Sequence, residues 1–81
     1  MSETRTQVEA LIADVLGIDQ PIDWSEVLYQ ETPEWDSLVH MAIITELEST
    51  FDMTFTPDEI MSMTSRDEIL ALLGGKGIAT P

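Results

Sequence analysis

The chain has 81 residues, which is enough for one small domain and too few for a deep two-domain cleft. It carries 16 Asp and Glu against 3 Lys and Arg, so its net charge is −13 and its electrostatics disfavour nucleic acid and anionic membrane surfaces. It has no cysteine, which excludes disulfides, thiolate zinc sites and a cysteine nucleophile.

The hydrophobic fraction is 43%, too high for a disordered acidic tail. The first ten residues are polar and charged and lack the apolar run of a signal peptide. The longest apolar run, 69–73, is far too short to span a membrane. These bounds describe a small, soluble, very acidic cytoplasmic protein.

The periodicity predicts a first helix over 3–16. Val8, Leu11, Ile12, Val15 and Leu16 form one apolar stripe. Thr4 and Gln7 suggest a capping box, and Gly17 a left-handed stop. A long connection follows over 18–35, interrupted by Pro21 and Pro33. Its Ile22, Trp24, Val27, Leu28 and Tyr29 suggest packing on the body, with a turn of helix near 25–29.

A second helix is predicted over 37–51, with Asp36 as N-cap. At about 100° per residue, His40, Ile43, Ile44, Leu47 and Phe51 share the core side. Leu38, Met41, Ala42, Thr45 and Ser49 share the outward side. A short third helix is predicted over 57–61, with Thr56 and Glu59 as its capping box and Pro57 first. A fourth is predicted over 66–73, with Ser65 and Glu68 as its box, Gly74 as its stop and a loose tail beyond. The expected fold is all-α: a small four-helix bundle with three main helices, one short helix and a long loop between helices 1 and 2.

Chemistry-bearing residues are few. Ser37 and His40 stand three apart on one helix, as a nucleophile and base could. But His40 points to the core, where a hydrogen-bonded structural histidine is the simpler reading, so the chain is expected not to be an enzyme. The acids do not follow the alternating pattern of a calcium loop, and no metal site is expected. Ser37 remains, at the start of a helix and the end of a long loop. A phosphate ester there would lie near free amides and the positive dipole end. Leu38, Met41 and Ala42 would form an apolar patch beside it, fit for docking. The same residues also fit an ordinary first-turn serine beside scattered apolar surface.

The stretch Glu34-Trp35-Asp36-Ser37-Leu38, with Leu47-Glu48 and Phe51 following, resembles the acyl and peptidyl carrier proteins. Phe55, Pro57, Glu59-Ile60 and Thr64-Ser65 also fall at that family's spacing, so the likeness covers roughly 8–73. The resemblance implies 4′-phosphopantetheine on Ser37, next to Asp36, installed from coenzyme A by a phosphopantetheinyl transferase using Mg²⁺. It implies a partner face built from Asp36, Leu38, Met41, Ala42, Thr45 and Glu48. The carrier domain is expected over 1–75, with a flexible tail over 76–81 read from its place at the chain end, and the resemblance implies a monomer. Glu34 stands where the family commonly has Gly, Trp35 marks stand-alone carriers, and Arg66 replaces a usual hydrophobic residue. These departures point away from fatty-acid synthesis. They point toward a stand-alone acyl or aminoacyl carrier of a specialised pathway, served by a cargo-loading ligase or acyltransferase and by downstream enzymes. The alternative is an acidic helical interaction module without a prosthetic group.

Overall fold

The computed structural model describes residues 3–18 and 23–78. Among the described residues four α-helices form in chain order: α1 (Glu3–Leu16), α2 (Ser37–Phe51), α3 (Pro57–Ser62) and α4 (Arg66–Gly75). α1 packs on α2 and α4, and α3 lies against α4. The all-α bundle expected from the periodicity is the observed one.

Local chemistry sets most helix ends. Asp36 accepts the Val39 amide at 2.9 Å and opens α2. The Thr56–Glu59 box closes in both directions, the Thr56 amide donating to Glu59 Oε1 at 2.9 Å and the Glu59 amide to Thr56 Oγ1 at 3.2 Å. Of the Ser65–Glu68 box the structure shows the Ser65 half, at 3.1 Å. Thr4 does not cap α1, because the helix already includes Glu3 and Thr4 lies within its first turn.

Gly17 ends α1 with φ +72°, its amide donating to Asp14 O and the Ile18 amide to Ala13 O. That pair of bonds is a Schellman motif, which needs a left-handed residue at this position. The same pair recurs at the end of α4, but around Gly77 (φ +95°) rather than Gly74. Gly74 and Gly75 are helical. Ile78 seals the motif by packing partly buried against the core, an apolar contact that Gly74 has no following residue to make.

The core gathers Val8, Ile12 and Leu16 of α1, Ile43, Ile44 and Leu47 of α2, and Ile69, Leu70 and Leu73 of α4. Ala13 is buried as well, although it lies outside the expected stripe. The long connection packs as expected through Trp24 and Val27. Its local helix is one 3₁₀ turn at Trp24–Glu26, not an α-turn over 25–29. Asp23 caps that turn by accepting the Ser25 amide and hydroxyl. Pro21 and Ile22 lie outside the described residues.

Arg66 ties this connection to two helices. Its guanidinium donates to Glu9 Oε2 of α1 at 2.7 Å and to Asp67 Oδ1, and it lies over the Trp24 ring at 5.9 Å. Burial opposes its charge, but the bonds to Glu9 and Asp67 outweigh that and raise its pKa. So a cation stands here with its carboxylates supplied. Lys76 likewise pairs with Glu59 at 2.9 Å and lies over Phe55, joining the end of α4 to the start of α3.

Candidate functional site

The site is built on the buried Trp35, two residues before Ser37. Trp35 is held on every polar group. Its amide donates to Thr32 O at 2.9 Å, and its carbonyl accepts the Gln30 amide at 2.8 Å, with Gln30 at φ +69°. Its indole N–H donates to His40 Nδ1 at 3.0 Å. An indole can only donate, so Nδ1 of His40 carries no proton. The proton sits on Nε2, which donates to Ile60 O at 2.8 Å. Tyr29 stacks on the His40 ring, centroids 4.2 Å apart and planes 16° from parallel. Loop, α2 and α3 are therefore joined by one aromatic cluster directly beneath the start of α2.

Ser37 is the first residue of α2 and is exposed. His40 is buried with both ring nitrogens engaged, so it cannot serve Ser37 as a base. The amides of Ser37 and Leu38 have no protein acceptor among the described residues, because the Asp36 carboxylate takes the Val39 amide instead. An exposed hydroxyl, two free amides and the positive end of a 15-residue helix thus meet at one point. Those groups fit a phosphodiester on Ser37, with open solvent for the chain it would carry.

The residues expected to face a partner divide in two. Leu38 is 81% exposed and Met41 48%, with Ala42 and Thr45 exposed beside them. The Thr45 hydroxyl donates back to Met41 O at 2.9 Å. Glu48 is different: it is half-buried, and its carboxylate accepts the Phe55 amide at 3.0 Å. It holds the α2–α3 connection. Met61 on α3 is 74% exposed and was not among the expected residues. The signal for it is the pair Ile60 and Met63, which turn inward at helical spacing and leave Met61 out. The His40–Ile60 bond links the chain neighbours of Met41 and Met61 across the two helices.

The helix carrying Ser37 has two carboxylates, Glu46 and Glu48, and no Lys or Arg. Both Arg66 and Lys76 are neutralised by acids elsewhere in the fold. No three metal-ligating side chains gather among the described residues, and no helix there is long and apolar enough to cross a membrane.

A family model described as a phosphopantetheine attachment site matches residues 6–73, most of the chain and all four helices save the ends of α1 and α4. The chain belongs to that family. It is a phosphopantetheine-carrying carrier protein, and the prosthetic group of such carriers is a covalent 4′-phosphopantetheine. Carrier domains of this family are not themselves catalytic. A search of curated proteins returned no match to the chain.

Proposed function

We propose that Ser37 is the attachment residue and that the protein is a stand-alone carrier of acyl or aminoacyl units in a specialised biosynthetic pathway. The observation supporting this reading is the exposed Ser37 hydroxyl at the tip of a helix anchored by the Trp35–His40 bond. The arm, when bound, supplies a terminal thiol that carries its cargo as a thioester. The chain itself contributes position. Trp35 fixes where α2 starts, Asp36 caps it, and the amides of Ser37 and Leu38 face an anionic group on the serine.

Partners follow from the surface. A phosphopantetheinyl transferase must reach Ser37, and a cargo-loading ligase or acyltransferase must reach the arm. Leu38, Met41, Ala42 and Thr45 offer these enzymes an apolar face on an acidic body, and α3 exposes Met61. Charge steers the encounter with a basic partner, and apolar contact sets how long it lasts. The protein acts as a cytoplasmic monomer.

The deciding experiment is intact mass before and after incubation with a broad-specificity phosphopantetheinyl transferase, coenzyme A and Mg²⁺. Wild type should gain one phosphopantetheine and Ser37→Ala none. A gain on Ser37→Ala would move the site elsewhere. No group on wild type, before or after a competent transferase, would return the reading to an acidic interaction module.

A further inference from the structure

A groove of about 530 Å³ runs between α1 and α2, apart from the Ser37 face. Leu11 and Val15, four residues apart on α1 and half-buried, form its apolar floor beside the small Ala10. Asp14 on α1 and Glu46 on α2 stand exposed on its two walls, and no Lys or Arg lines it. Neither carboxylate is paired with a cation among the described residues. At about 100° per residue, Glu46 and Thr50 lie on average about a third of the circumference of α2 away from the Leu38–Met41–Thr45 band, with Ala42 between the two. A molecule in the groove would leave Ser37, Leu38 and Met41 free.

We propose that this groove is a second docking site, occupied by a basic amphipathic helix of a partner protein. Two parallel ridges of side chains accept a third helix along the valley between them. Ala10 lets its backbone come close, and Leu11 and Val15 meet its apolar stripe. Asp14 and Glu46 meet Lys or Arg flanking that stripe, on a chain whose net charge is −13. A second copy of this chain is a poor occupant, since its charge is the same. A small ligand would want walls on all sides, and the groove is open to solvent along its length. One partner could then hold the carrier while another serves Ser37.

The test is an amide-shift titration of the ¹⁵N-labelled full chain with a synthetic helical peptide bearing a Leu stripe flanked by Arg. A scrambled peptide of the same composition is the control. Shifts should cluster at Gln7, Ala10, Leu11, Asp14, Glu46 and Thr50 and leave Leu38 and Met41 unmoved. Both the scrambled peptide and Ala10→Arg should weaken binding by at least about tenfold. The pair Asp14→Asn with Glu46→Gln, which adds no bulk, should weaken it in the same direction. Equal binding of the scrambled peptide, or shifts spread over the whole acidic surface, would show non-specific charge attraction and overturn the proposal. So would shifts centred on Leu38 and Met41. Self-association of the free chain that Ala10→Arg abolishes would assign the groove to a second copy and overturn it too.

Discussion

The indole N–H of Trp35 donates to Nδ1 of the buried His40 at 3.0 Å, and with the backbone bonds to Thr32 and Gln30 it fixes the segment that delivers Ser37. Trp35→Phe keeps most of the apolar volume but leaves Nδ1 without a donor inside the protein. An orphaned buried acceptor costs about 1–3 kcal/mol. Urea unfolding should show a loss of that order, and exchange should quicken at the bonded amides around the segment, those of Gln30, position 35 and Val39. Stability unchanged from wild type would mean the bond contributes nothing to holding this segment.

Arg66 tests how a charge replaces an apolar residue. Arg66→Ala removes the bonds to Glu9 and Asp67 and the cover over Trp24, leaving a half-buried Glu9 unpaired. A loss of about 2 kcal/mol is expected. Arg66→Leu combined with Glu9→Met should cost less, because a partly buried ion pair is readily matched by packing. Thermal melts of the two variants settle the order. A double variant less stable than Arg66→Ala would show that the ion pair itself dominates here.

Glu59 sets an acid limit on part of the stability. The Thr56 amide, then Lys76, holds its carboxyl below the ordinary glutamate range. A group whose pKa is lower folded than unfolded adds stability above the unfolded value. That contribution fades as pH falls through the folded value. Wild type should therefore exceed Glu59→Gln in urea midpoint at neutral pH, and the gap should close on acidification below the ordinary glutamate range. A gap that is constant across that window would mean the carboxylate charge is not what stabilises the start of α3.

Met41 on α2 and Met61 on α3 are exposed, each next in sequence to a partner of the His40–Ile60 bond. Met41→Glu and Met61→Glu should each change unfolding stability by no more than about 0.5 kcal/mol. Each should lower kcat/KM for loading by a phosphopantetheinyl transferase or cargo enzyme, by about tenfold if the methionine sits centrally in the contact. Transfer at the wild-type rate by both variants would remove this face from recognition.

Much of the bundle was readable because its signals are local. Asp36, Thr56 and Gly17 act on amides or carbonyls within one or two turns of themselves, and each does so as its residue type suggests. The two faces of α2 were readable for the same reason: side-chain direction follows from position along a helix. Gly74 and Gly77 show where local reading stops. Both can adopt the left-handed conformation, and the choice fell on Gly77 because Ile78 could reach the core.

Sequence by itself determined the helices, their caps, the exposure of Ser37 at a helix start and the family likeness, since these depend on residues a few positions apart. Tertiary structure alone decided what holds that serine in place and what lies beside it. His40 meets Ile60 across twenty positions and Arg66 meets Glu9 across fifty-seven. The α1–α2 groove draws its two walls from opposite ends of the first fifty residues. Such pairings form only when apolar burial brings distant helices together, and no local pattern encodes which polar groups then find each other.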